Sequence, residues 1–409
     1  VSHGALSIRI GWRNLWRNRR RTWLTASGIA FSVFLVVSFM ALQIGQYDVM
    51  TENATALLAG HVQVQNRQYL DDGRFEDTIK NASEVAGRIR ATAGVASVAP
   101  RVETFALVSV GERSFGAQLL GIDIAAELET VRFVKMIREG REPAGSEDAV
   151  LGTTLARNLG AAIGDELVIL GTGKEGGVAA MVLNVVGLLE TGMADLDRVL
   201  LLAPMEQVQE AFGLSDEVHS LIIRADDVDL GPSLVRTLGD ALPDDLEVRN
   251  WDRVMPELKQ GIEVDRISGR IMYGIIMALV VFSVVNSFIM TVFERTREFG
   301  MLLAIGMKPL RIILMLQWEA LFVCLLGIGI GLVLAVGLTL WLMDVGIYLG
   351  EAMEEYTRKF YMPDRMYPSL SIEALVLSPA VMLIGTQFAA LLPALRIRSL
   401  RPVEALRSE

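Results

Sequence analysis

The chain has 409 residues, of which 52% are hydrophobic and 21% charged, and its formal net charge is −10. An ordinary charged share beside so large an apolar share means that the apolar residues are concentrated, which excludes a uniformly soluble enzyme and points to a chain part membrane, part soluble. One cysteine, Cys324, excludes an internal disulfide framework and a Cys-rich zinc or iron–sulfur site, and three scattered histidines, His3, His61 and His219, leave little for a metal centre.

In chain order, residues 1–22 carry Arg9, Arg13, Arg17, Arg19, Arg20 and Arg21 with no acid. Leu6, Ile10, Leu15 and Trp16 among these arginines suit a cytoplasmic amphipathic segment lying on the membrane surface; the same arginines serve equally as a topology signal. The apolar run 23–46 is longer than a signal-peptide core and no A-x-A site follows it cleanly, so it reads as an uncleaved first span. Three further runs, 267–293, 312–344 and 370–393, are long enough for a hydrocarbon core of about 30 Å, which takes about 20 helical residues. Ahead of the second, Val254, Leu258, Ile262 and Ile267 are spaced for one buried helix face and predict a stalk that runs into the span as one rigid rod.

Charge sets the orientation. The 294–311 loop holds Arg295, Arg297, Lys308 and Arg311 against Glu294 and Glu298, and the tail 394–409 holds Arg396, Arg398, Arg401 and Arg407 against Glu404 and Glu409. With the N-terminal segment these stretches carry 14 bases and 4 acids in a chain that is −10 overall. Because bases are retained inside, both termini and the 294–311 loop are expected in the cytoplasm, with 47–266 and the short 345–369 loop outside.

The 47–266 insert reads as an α+β domain of short alternating runs broken by Gly and Asp. Strand, helix, strand is predicted at 61–66, 83–91 and 97–102, and again at 220–224, 232–242 and 246–250, two halves that would share one sheet. Between them 148–159 reads as a helix, and 166–170 with 181–186 as paired strands. Gly171, Gly173 and Gly176 match G-x-G-x-x-G, but a phosphate loop needs a helix to start at the glycines, and a β-type run follows instead. They read as a glycine-rich hairpin. Lys174 has no following Ser or Thr and no Walker A sequence occurs. Asp195 and Asp197 with Glu190, and Asp71 with Asp72, read as solvated loop acids, and His61 and His219 as structural. No G-x-S-x-G or H-E-x-x-H is present, so nothing argues for a catalytic centre or a bound metal.

The 294–311 loop is more specific. Its charged turn gives way to Phe299, Met301, Leu302, Leu303 and Ile305, closed by Gly306 as a helix C-cap. Glu294, Arg295, Arg297, Glu298, Phe299, Gly300, Leu303, Ala304, Ile305 and Gly306 resemble the signature of FtsX-like ABC permeases. Glu319 followed by Gly327 and Gly331, the start Arg13-Asn14-Leu15 to Arg20-Arg21-Thr22, and the tail Pro393-Ala394 with Arg401 to Arg407 resemble other parts of that family in the same order, so the likeness runs the length of the chain. Four spans with a large insert after the first resemble the lipoprotein-releasing (LolC/LolE) and macrolide-exporter (MacB) types, and Gly60 to Val64 leans toward the former.

The resemblance implies a membrane α-helical fold of four transmembrane helices carrying the α+β extracytoplasmic domain between helices 1 and 2. It implies the permease subunit of a type VII, mechanotransmission ABC transporter, not itself an enzyme, with ATP and Mg on a separate cytoplasmic ATPase. Glu294, Arg295, Arg297, Glu298, Phe299, Gly300 and Gly306 would couple to that ATPase. Gly327, Gly331, Glu319 and Asn286 would pack helices, Gly329 with them, and Arg13, Arg17, Arg19, Arg20 and Arg21 would meet the cytoplasmic membrane surface. The expected partners are the ATPase, a second permease copy or paralogue, a periplasmic carrier or adaptor and membrane lipids, with no nucleic acid. Three functions stay open: lipoprotein or lipid extraction from the inner membrane, MacB-like efflux with a periplasmic adaptor, and FtsX-like control of cell-wall hydrolases.

Overall fold

Apolar runs fix where helices cross a membrane, but backbone hydrogen bonding carries a helix on through polar sequence, and the first three spans here are longer than their apolar runs. The computed structural model describes residues 11–348, 350 and 365–399. Leu6, Ile10, most of the 345–369 loop and the tail motif from Arg401 lie outside them. Among the described residues one unit takes in those up to Asp48 with 262–350 and 365–399, and the other is Val49–Gly261.

Among the described residues four helices are long and apolar enough to cross a membrane. They are Arg19–Ala54, Pro256–Glu294, Pro309–Val345 and Ile372–Leu395, of 36, 39, 37 and 24 residues. At about 1.5 Å per residue all four exceed the core of about 30 Å, the first three by more than about 20 Å. Ahead of the first, residues 11–17 are helical and break at Asn18. Pro309 opens the third at a position that needs no N–H, and the Ser371 hydroxyl accepts from the Ala374 N–H to open the fourth.

The first and third helices meet through glycine. A Cβ on Gly327 would sit 2.8 Å from the Ala26 carbonyl oxygen, and one on Gly331 would sit 2.6 Å from that of Ala30. Gly329, expected to share this role, faces open space instead. Adding one methyl at a close backbone contact forces a shift that costs about 1–3 kcal/mol. Gly331→Ala should therefore lower the melting temperature of the detergent-solubilised protein, with Gly329→Ala as the silent control; equal melting of the two would refute the close packing.

The other unit opens with β1 (Val62–Asn66), β2 (Ile79–Lys80) and, after the helix Ala82–Arg90, the long β3 (Val95–Val110). It continues through β4 (Arg113–Ile122), β5 (Ile137–Gly140), β6 (Asp148–Gly152), β7 (Glu166–Thr172), β8 (Val178–Leu189) and β9 (Leu200–Pro204). It closes with β10 (Glu217–Val218), β11 (Ser220–Ala225), the helix Gly231–Ala241 and β12 (Leu246–Asn250). The two strand–helix–strand halves do share one sheet, and they interleave: β12, β1, β11 and β3 are successive antiparallel neighbours.

The middle section folds differently. From β3 the pairing runs through β4, β9, β6, β8 and β7 and returns to β3, so six strands close into a barrel with β3 common to barrel and sheet. Closure removes free edges. Along β3, Ala106 and Val108 point into the core while Phe105 and Leu107 are 75% and 46% exposed, the period-2 signature of a strand with one wet face.

Two elements differ from expectation. Residues 148–159 are not one helix: Asp148–Gly152 is a strand buried along its length between β8 and β9, and only Thr153–Leu159 is helical. A short run buried on both faces shows no period that separates strand from helix. The rod ahead of the second span is broken at Met255, between the turn Trp251–Val254 and the helix starting at Pro256. Proline keeps the preceding residue out of the helical region, and Met255 lies at φ −120°, ψ 69°. Ile267, assigned to the buried face, is 52% exposed. The glycines 171, 173 and 176 do lie in the β7–β8 hairpin.

Candidate functional site

The second helix ends at Glu294, and Arg295, at φ −103°, ψ 10°, turns the chain into the short helix Thr296–Ala304. The far end closes on Gly306 at φ +95°. There the Gly306 N–H donates to the Leu303 carbonyl and the Met307 N–H to that of Leu302, both at 3.0 Å. This is a Schellman turn, and its left-handed residue is why glycine stands there. Phe299 and Gly300 are buried, while Met301 and Ile305 are 47% and 85% exposed. The helix is thus held on one side and offers an apolar tip on the other.

What holds it is an ion-pair hub of six residues from distant parts of the sequence. One Arg17 nitrogen donates to both Glu298 oxygens at 2.7 and 2.8 Å. Arg295 Nε donates to Glu298 at 3.0 Å and its Nη1 to Glu319 at 3.0 Å. Arg21 donates to Glu294 at 3.0 Å and lies 3.7 Å from Glu319. Arg295 also stacks 5.2 Å from the Phe299 ring centre. Glu319 is buried at the centre, beside a small polar cavity lined by Arg21, Thr22, Thr25, Ser287 and Thr291. Burial alone would raise the Glu298 carboxyl, but hydrogen bonds from Arg17 and Arg295 outweigh it and hold it below the usual range, so it stays charged at neutral pH.

The hub contains no nucleophile poised beside a base. Its chemistry is mechanical: it ties the N-terminal helix, the end of the second helix, the short helix and the third helix together. Exposed pairs such as Arg17–Glu298 contribute about 0–1 kcal/mol each, whereas a buried pair such as Arg295–Glu319 is costly to break from one side.

The structure therefore brings Glu294, Arg295, Glu298, Phe299 and Glu319 into one site and adds Arg17 and Arg21, expected at the membrane surface. Arg13, Arg19 and Arg20 stay exposed. Arg297, Lys308 and Arg311 are exposed with no ion pair among the described residues. Glu319 acts as an ionic centre rather than a packing residue, and Asn286 lies exposed on the second helix with no side-chain hydrogen bond among the described residues. Glu294 and Glu298 are spaced to share a helix face, a visible signal; their partners 273 and 281 residues away carry none.

In the unit Val49–Gly261, sequence reasoning missed the buried pair of Arg101 and Glu127. Asp197, read as a solvated acid, is buried and accepts from the Thr191 N–H and hydroxyl at 2.8 and 2.7 Å. Glu190 pairs with Arg138, and Asp71 and Asp72 stand in the helix Arg67–Asp72 rather than in a loop. His61 and His219 are buried, which lowers both pKa values; His219 accepts from the Glu103 N–H and contacts the Phe75 carbonyl, a structural role.

Four long apolar helices, an α+β domain after the first and a cross-linked loop helix define a membrane permease. A family model described as MacB-like periplasmic core domain matches residues 22–239, more than half of the chain, and one described as FtsX-like permease C-terminal matches 270–402. The chain belongs to this family: it is an FtsX-like ABC transporter permease of the LolC/LolE and MacB type with a MacB-like periplasmic core domain. It is 26% identical to the lipoprotein-releasing system transmembrane protein LolC of Neisseria meningitidis serogroup B, over 77% of this chain and 79% of that protein. Against LolC of Xylella fastidiosa the identity is 25% over 99% of both chains. The macrolide export ATP-binding/permease protein MacB of Bdellovibrio bacteriovorus is 26% identical over 98% of this chain and 61% of its own length.

Proposed function

We propose that this chain is the transmembrane subunit of a type VII, mechanotransmission ABC transporter of the inner membrane, with the termini and the 294–311 loop in the cytoplasm. A separate ATPase docks at the helix Thr296–Ala304 and its exposed Ile305 tip, and closure of that ATPase is passed through the hub to the membrane helices and so to the outer domain. Catalysis, ATP and Mg belong to the ATPase. The observation that carries the coupling assignment is the hub itself: Glu298 of the loop helix accepts from Arg17, Arg295 at the start of that helix donates to Glu319, and Glu294 just ahead of it accepts from Arg21.

The cargo is a lipoprotein or lipid drawn from the membrane. What supports this reading is the likeness to relatives that are lipoprotein-releasing system transmembrane proteins, 26% identical over 77% of this chain and 25% identical over 99% of it. Depleting the chain should leave lipoproteins in the inner membrane. Drug sensitivity with normal lipoprotein sorting would instead establish efflux with a periplasmic adaptor, and a septation defect alone would establish hydrolase control; either result refutes the cargo assignment.

A further inference from the structure

An indole carries one N–H on a large apolar ring, so it settles where one side is apolar and the other wet. Three indoles gather where the N-terminal helix, residues 11–17, meets the third helix, all within one unit. The Trp12 ring stands edge-on to Phe322 at 5.4 Å and to Trp16 at 6.2 Å, and Trp318 lies 6.0 Å from Phe322. Gly11 lets the two helices close, since a Cβ there would come within 3.0 Å of that of Trp318. The cluster is held but not covered: Trp12 and Trp16 are 50% and 40% exposed. None of the three indole N–H groups donates a hydrogen bond among the described residues.

The third helix extends this shelf. Arg311, Leu314, Trp318, Phe322 and Leu325 recur at intervals of three and four and so share one helix face. Leu314 and Leu325 are 45% and 48% exposed, and Arg311 is exposed beside them. From Arg311 to Leu325 is about 21 Å of helix, close to the depth of one bilayer leaflet with its headgroups. A cation at one end, an indole in the middle and an apolar row beyond follow a phospholipid from headgroup to chain.

The charge on this face has no partner in the protein. Arg13, which follows directly on Trp12, and Arg311 are exposed with no ion pair among the described residues. Residues 11–23 and 307–318 contain no Asp or Glu. Glu319, the next acid on the third helix, is buried and taken by Arg295. Unpaired positive charge beside an uncovered apolar row complements an anionic lipid, whereas a zwitterionic headgroup brings a cation of its own. A soluble anion would gain nothing from Leu314, Phe322 and Leu325.

We propose that the N-terminal helix and the third helix form a binding site for one anionic phospholipid, its headgroup facing Arg13 and Arg311, its ester region level with the tryptophans and a chain along Phe322 and Leu325. The site is separate from the ion-pair hub, whose Arg17 and Arg21 are taken by Glu298 and Glu294. It goes beyond the force-relay reading and does not depend on the cargo.

Native mass spectrometry of the full chain in detergent tests it, with phosphatidylglycerol and phosphatidylethanolamine of identical chains offered together and inorganic phosphate offered separately. The parent should retain one phosphatidylglycerol with about ten-fold preference over phosphatidylethanolamine, and no phosphate. Arg13→Gln with Arg311→Gln should remove that preference at unchanged melting temperature, because neither side chain has an ion pair to lose. Arg13→Lys with Arg311→Lys keeps the charge and should restore most of it. Trp12→Ala should lower retention of both lipids alike, and Arg297→Gln, an exposed arginine of the loop helix, should behave as the parent. Equal retention of the two lipids by the parent, a preference that survives the glutamine variant, or one that falls as far in Arg297→Gln overturns the site. Retention of phosphate alone makes it an anion site and overturns the lipid. Loss of the co-purifying ATPase from the glutamine variant with lipid preference intact gives these arginines to the ATPase and overturns the proposal as well.

Discussion

Replacing Glu294 and Glu298 together with lysine should leave the chain in the membrane and abolish stimulation of its ATPase. Glu298 stands between Arg17 at 2.7 Å and Arg295 at 3.0 Å, and Glu294 takes Arg21 at 3.0 Å. The double substitution puts two more cations among three arginines, turning attraction into repulsion at each contact. Because these carboxylates are half-exposed, the loss in folding stability is small, on the order of 1 kcal/mol per pair. The loss in coupling is not, since the short helix is then free of the N-terminal segment. ATP hydrolysis by the reconstituted complex should fall to that of the isolated ATPase. Arg17→Glu combined with Glu298→Arg restores one pair with reversed polarity and should recover part of the stimulation. Normal co-purification with normal stimulated hydrolysis in the lysine variant would remove the coupling role.

The long apolar helices and the sheet of the inserted domain were legible in the sequence for a definite reason. Runs such as Ile271 to Phe293 exceed any soluble core element, and the β1 and β12 strands alternate with the period of a pleat. The barrel was not legible, because its closure rests on β7 returning to β3, a pairing between Leu107 and Leu170 that no local pattern announces. Asp148–Gly152 was misread because burial on both faces erases periodicity. The break at Met255 was legible but overridden: the apolar spacing continued across Pro256, and the proline decided the backbone. At the hub, sequence marked the acids Glu294 and Glu298 and, on the third helix, Glu319 separately. Their union depends on Arg17 and Arg21, whose six-arginine neighbourhood looked like a membrane-surface signal. Tertiary contact assigned two of those arginines to the loop and left Arg13, Arg19 and Arg20 exposed.

Removing the buried acid should act on stability rather than on coupling alone. Glu319 accepts from Arg295 at 3.0 Å, and both side chains are nine-tenths buried or close to it. Glu319→Leu leaves the Arg295 Nη1 edge desolvated without an acceptor, and breaking a buried pair from one side costs roughly 3–5 kcal/mol. The lower end applies here, because Arg295 Nε keeps Glu298 at 3.0 Å. Glu319→Gln keeps an acceptor but loses the charge and should cost about 1.5–3 kcal/mol, the worth of a hydrogen bond to a charged group. Arg295→Leu with Glu319→Leu removes both charges and should recover most of the loss while abolishing stimulated hydrolysis, since Arg295 also holds the loop helix through Glu298. Thermal unfolding of the detergent-solubilised protein separates the cases. If Glu319→Leu unfolds within about 0.5 kcal/mol of the parent, the range of a surface substitution, then Glu319 is hydrated in place and the hub has no buried centre.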